Sequence, residues 1–176
     1  MTYPHFFDTI EKIILQDDLA KTLGTFEDGI VEFSYLDVVK CAGHSCPTVT
    51  GAYLSTLVGL KALYPNGYPK RGEIKVELPN DITEGVTGVI GAVIANITGA
   101  TTNYGFKGLN GKFTRTNLMF YNVRISSNVR FTRLDTNEAI EVYYNPSNIQ
   151  FSTTSWQGKV EEIFQNIDKI IKAKRV

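Results

Sequence analysis

The sequence predicts an α+β fold, with helices packed on a mainly antiparallel sheet. Three observations point there. Apolar residues recur at helical spacing in several stretches, such as Val49, Tyr53, Leu57, Leu60 and Tyr64. From Lys112 to Tyr144 the period changes to two, and Tyr121, Val123 and Ile125 alternate with Phe120, Asn122 and Arg124. No Pro/Ser/Gly linker and no internal repeat divides the 176 residues, so 1–176 reads as one domain with a sizeable core.

The elements follow in order. Tyr3 to Leu23 reads as a helix: Phe6, Ile10, Ile13 and Ile14 fall at helical spacing, Pro4 suits a first turn, and Gly24 suits a stop. Gly29 to Phe33 reads as a short strand. Ser34 to Lys40 reads as a helical turn, with Ser34 as cap and Asp37 three residues on. Pro47 to Tyr64 is a helix ended by Pro65-Asn66-Gly67. Glu73 to Leu78 is a strand. Glu84 to Ile97 is a nearly all-apolar helix, and a neighbour packed close against Gly88 and Gly91 would explain those glycines. After the turn Ser126-Ser127-Asn128, strands are expected near 129–134 and 139–144. Trp156 to Lys172 closes the chain as a helix, with Val160, Ile163, Phe164, Ile167, Ile170 and Ile171 as its stripe.

Composition excludes several functions. The formal charge is zero, so no long-range field draws nucleic acid or an anionic membrane. Arg115, Arg124, Arg130 and Arg133 alternate with aromatics, but Arg130 and Arg133 fall on opposite strand faces by parity, which breaks a basic stripe. The N-terminus carries Asp8 and Glu11 within its apolar pattern, unlike a signal peptide. Val86 to Ile97 is too short to span a bilayer. The expectation is a cytoplasmic protein whose two cysteines are thiols or ligands rather than a disulfide.

The chemistry concentrates in Cys41-Ala42-Gly43-His44-Ser45-Cys46-Pro47, where both cysteines and one of two histidines lie within six positions. Pro47 suits the first helical position, so Cys46 falls at the helix N-terminus, where unpaired N–H groups favour an anionic sulfur. Gly43 permits a sharp turn before His44. Cys41, His44 and Cys46 are then candidate S, N and S ligands, a set that suits zinc with a fourth position open. Two other readings stand beside it: a metal-free pair with Cys46 as nucleophile and His44 as base, and simple burial of small apolar cysteines.

Gly43-His44-Ser45-Cys46-Pro47-Thr48-Val49-Thr50-Gly51 resembles the Gly-His-x-Cys-Pro-x-x-x-x-Gly signature of the FmdE family of formylmethanofuran dehydrogenase subunits. Thr98-Gly99-Ala100-Thr101, Gly105 and Gly111-Lys112-Phe113 resemble the family's Thr-Gly-Cys-Thr element and its later Gly-Lys. The likeness covers about residues 30 to 120. It implies a homodimeric α+β domain, similar to the catalytic domain of glyceraldehyde-phosphate dehydrogenase, that holds zinc at the motif histidine and cysteine. It also implies an enzyme or accessory subunit acting on an unknown small anionic molecule. Two departures stand out: Ala100 replaces the family cysteine, which leaves Cys41 as a substitute, and the strands and helix of about 120–176 take the place of a zinc-ribbon tail.

Within this resemblance Lys112 would bind the anionic group, and Asn103 and Tyr104 on the same Gly-rich loop would line the pocket. The loop lacks the Gly-Lys-Ser/Thr ending of a phosphate-binding loop. His5 reads as a packing or surface residue, with a remote fourth-ligand role as its alternative. Asn80-Asp81 reads as a turn. A non-enzymatic, metal-stabilised assembly module is the third functional class.

Overall fold

A computed structural model describes residues Met1–Val176. Its centre is the helix α3, Pro47–Leu63, which is buried on nearly every side. Three residues explain how it sits so close to the main sheet. Gly51, Ser55 and Gly59 repeat every four residues, so small groups line one face. A β-carbon at Gly51 would collide with the Tyr144 ring, and one at Gly59 would lie 2.7 Å from the Phe131 ring. The sheet side chains occupy the space those glycines leave.

Five strands form that sheet: β3 (Ile74–Glu77), β4 (Met119–Phe120), β5 (Val129–Arg133), β6 (Ala139–Tyr144) and β7 (Ile171–Arg175). Their spatial order is β4-β3-β5-β6-β7, antiparallel except for the short β3–β4 pair. Alternation does the sorting. Val76, Phe131, Ile140 and Val142 are buried toward α3, whereas Glu77, Arg130 and Glu141 share the opposite face as cross-strand partners. A second sheet is one hairpin, β1 (Ile13–Gln16) with β2 (Ile30–Phe33). The short helix α1 (Asp18–Thr22) lies between its strands in the chain. Helices α2 (Tyr35–Ala42), α4 (Thr87–Thr98) and α5 (Trp156–Gln165) pack on α3, and the four-residue α6 (Ile167–Ile170) leads into β7. The architecture is mixed α and β with mostly antiparallel sheets. No helix is long and apolar enough to cross a membrane.

Three expectations need correction. The N-terminal segment is not one helix: His5–Thr9 is a 3-10 turn, Ile13–Gln16 is strand β1, and only Asp18–Thr22 is α-helical. The hairpin decides this, because β1 buries Ile13 and Leu15 on one side while its backbone pairs with β2. The C-terminal helix α5 stops at Gln165, and residues 171–175 become an edge strand on β6. The alternation at 120–125 forms a strand only at Met119–Phe120, followed by a bend.

Other readings hold. Ser34 and Asp37 form a reciprocal capping box at α2. Gly91 faces the Tyr121 hydroxyl, and Gly88 faces the Ile82 carbonyl, 2.9 Å from a built β-carbon. Asp81 accepts from the Thr83 N–H and hydroxyl in a turn.

Gly59→Ala tests the helix–sheet contact. Glycine to alanine in a helix ordinarily gains about 1 kcal/mol. Here the new methyl meets Phe131, which is fully buried and cannot swing aside. An overpacking cost of about 1–3 kcal/mol set against that gain leaves an expected net loss of up to about 2 kcal/mol in urea denaturation.

Candidate functional site

The Cys/His motif forms the linker between α2 and α3. Helix α2 ends at Ala42, and Gly43 takes the left-handed conformation at φ 79°, its N–H bonding to the Val39 carbonyl. His44 and Ser45 follow. Cys46 is the extended N-cap of α3, and Pro47 is its first helical residue.

A chain of hydroxyls fixes this linker from below. Thr50 donates its hydroxyl proton to the Cys46 carbonyl at 2.8 Å. Its oxygen is then the acceptor for Tyr35 Oη at 2.8 Å, and Tyr35 in turn accepts from Ser45 Oγ at 2.9 Å. Each hydroxyl has one proton, so the direction is forced. Burial pushes the Tyr35 phenol up from its ordinary range, against the effect of these two hydrogen bonds. Tyr35 is itself held edge-on by Phe7, Tyr53 and Phe164. From α5, Gln157 Nε2 donates to the Ser45 carbonyl at 3.0 Å. From β6, the Tyr144 hydroxyl donates to the Pro47 carbonyl at 3.1 Å, and burial pushes that phenol up as well.

The two chemical groups of the linker are left free. The Cys46 side chain makes no capping bond, although it occupies the cap position, and the residue is half-buried. His44 is exposed, and its Nδ1 sits 3.1 Å from the Ala42 carbonyl. A carbonyl can only accept, so Nδ1 carries a proton and the neutral ring presents its Nε2 lone pair outward. Metal-ligating histidines are oriented in this way. Cys41 lies exposed in the last turn of α2. Both cysteines are free thiols. Cys41, His44 and Cys46 thus share one segment, but three such side chains are not brought together as a metal-holding group. In kind the donors fit zinc: one imidazole nitrogen and up to two thiol sulfurs.

Beside Pro47 opens a cleft of about 260 Å³ between α3, the start of α4 and the β5–β6 end of the sheet. Pro47, Thr48, Gly51, Ala52 and Ser55 of α3 form one wall. Val86, Ile90, Asn128, Val129, Tyr144 and Pro146 complete it. No charged side chain lines it. The Gly51–Tyr144 contact is therefore both a helix–sheet contact and the floor of this cleft.

Asn103, Tyr104 and Lys112 do not line that cleft. All three are exposed on the 99–117 loop, where Leu109 and Lys112 close a tight turn by exchanging backbone hydrogen bonds. That loop is anchored instead by Arg115, buried against Asp17 at 2.8 Å. Arg130 is committed to Glu77 and Glu141, and Arg133 to Asp135 and the Tyr64 ring. His5 lies next to Asp8 at the surface.

Sequence reasoning missed Tyr35, Tyr144, Gln157 and Ser55. The one available signal was Gly51: a glycine inside a buried helix announces a close neighbour without naming it.

Fold and site define a mixed α/β protein with a free thiol and imidazole on an interhelical linker next to an uncharged cleft. Neither protein-family models nor curated proteins give a match to this chain.

Proposed function

We propose that this chain is a zinc-binding, homodimeric protein similar to the FmdE family. Its centre would lie on the Gly43–Cys46 linker, and it would act, as an enzyme or accessory subunit, on a small molecule in the adjoining cleft. The observation that carries this reading is the state of the linker. Cys46 holds the cap position of α3 without using its sulfur as a cap, while His44 commits Nδ1 to a backbone carbonyl and leaves Nε2 free.

His44 and Cys46 would hold the metal; Cys41, exposed in the last turn of α2 and not grouped with them in the structure, would have to turn toward them to serve as the third protein donor. Zinc bound there would supply a Lewis acid for a substrate oxygen. The chain's own contribution is positioning. The Ser45–Tyr35–Thr50 hydroxyl chain and the Gln157 contact fix the linker backbone. Tyr144 shields the first turn of α3.

Elemental analysis of tag-free protein purified without chelators tests this, with about one zinc per chain expected. Metal-free protein would sink the reading and leave thiol chemistry at Cys46 in its place.

The dimer has its own support. Helix α4 carries no charged side chain, yet Val89 is exposed on it and Ile82 and Val86 are exposed just before it. Light scattering at micromolar concentration is expected to give twice the mass of one chain. A monomer mass would remove the claim.

A further inference from the structure

The chemistry of the cleft wall defines a ligand class. The assignment deepens the proposed function and rests on it, since the linker at Cys46 is taken as the reactive end of the cleft. Every lining side chain is uncharged. A charged ligand group would lose water there without gaining an opposite charge, and that loss is large compared with a single hydrogen bond. The walls are mostly apolar: Ala52, Ile90 and Val129 face the space, with Val86 at the rim.

One polar group stands apart. Ser55 is 3 % exposed and lines the cleft. Its helix neighbours Thr50 and Thr56 turn their hydroxyls back to the Cys46 and Ala52 carbonyls. The Ser55 hydroxyl makes no such bond and has no protein partner, so a buried donor and acceptor is presented to the cleft. Buried hydroxyls are normally satisfied, and this one is left for water or a ligand that enters the cleft. Asn128 adds a second polar group at the wall. Its Oδ1 accepts from the Tyr144 N–H at 2.7 Å, which leaves the amide hydrogens as donors.

We infer that the cleft binds a small, uncharged, largely apolar molecule carrying one hydroxyl or carbonyl oxygen, which Ser55 and Asn128 receive. The anionic ligand that the resemblance implies at Lys112 concerns a different part of the surface, since Lys112 does not line this cleft.

A chain-length-matched series tests it: 2-pentanone, 1-pentanol, pentanoate and pentylamine, titrated by saturation-transfer NMR. The neutral pair is expected to bind at least about tenfold more tightly than either ion. Ser55→Ala should weaken the neutral pair by about threefold or more. Val86→Arg, at an exposed rim position, should shift preference toward pentanoate; because Val86 also belongs to the proposed dimer surface, light scattering of the same variant separates this effect from loss of the dimer. Equal binding of an ion, no binding of the neutral pair, or an unchanged Ser55→Ala would each overturn the inference. Zinc measured in the same samples reports separately on the centre: metal-free protein that still selects the neutral pair defeats the proposed metal site and leaves the ligand assignment in place.

Discussion

Asp17→Ala is expected to lower the unfolding free energy by about 3–5 kcal/mol, more than any surface substitution in this protein. Asp17 is only 4 % exposed and does three things. It caps α1 by accepting from the Ala20 N–H. It accepts from Arg71 Nη1 at 3.0 Å and from Arg115 Nη2 at 2.8 Å. Arg115 is 6 % exposed, and its guanidinium lies against Gly72 and Gly99. Its Nη1 has no partner even in the intact protein. Removing the carboxylate therefore strands a buried cation, which is the costly way to break such a pair. Arg71 also holds the Ile97 and Asn96 carbonyls at the end of α4, so the damage spreads to that helix terminus.

The pH dependence follows in sign. Burial alone would raise the Asp17 carboxyl, but the Ala20 N–H, Arg115 and Arg71 together outweigh it and hold the group below its ordinary value of 3.8. The ionised form is favoured in the native state. Its contribution is complete above the unfolded value and is lost as pH falls through the lower, folded one. Urea midpoints at neutral pH and in acid below the ordinary carboxylate range should show the gap between wild type and Asp17→Asn closing in acid. A gap that widened in acid would contradict the charge assignment.

Cys46→Ser is expected to lose bound zinc more completely than Cys41→Ser, by at least about tenfold in affinity. Serine is favourable at an N-cap position and should leave α3 intact, so lost metal reports on the sulfur. Cys46 is fixed by the extended cap conformation and by bonds on either side of it at Ser45 and Pro47. Cys41 is an exposed side chain at a helix end. A preorganised ligand contributes more to binding than one that must be ordered first. Competition with a chromophoric chelator measures both variants. Equal affinities, or a larger loss at Cys41, would reverse the ranking of ligands.

What could be read from the sequence was what depends on near neighbours. The capping box at Ser34 and Asp37, the Pro47 start of α3 and the Cys46 cap position are all decided within a few residues. So is the turn at Asp81. The failures were decided elsewhere in the chain. Ile10, Ile13 and Ile14 fit a helix as a pattern, but the partner strand of Ile13–Gln16 lies at Ile30–Phe33, and no local rule announces that pairing. Ile170 and Ile171 continued a helical stripe, yet the open edge of β6 captures residues 171–175. The site divided the same way. Its linker was visible because its donors are adjacent in sequence. Its cleft was not, because Tyr144 is 97 residues from the Pro47 carbonyl it bonds.

The strand order has a bearing on how this protein behaves in a crowded solution. An open sheet offers two rows of unpaired backbone groups, each a template for another chain. Here one edge is β4, only two residues long, too short to seed a ladder. The other is β7, where Lys172, Lys174 and Arg175 are all exposed. A second copy of that strand docking there would bring its own cations against Lys172 and Lys174, Arg175 being paired with Glu138 at 2.7 Å. Both edges of the main sheet are thereby closed to fibrillar growth, one by brevity and one by repulsion.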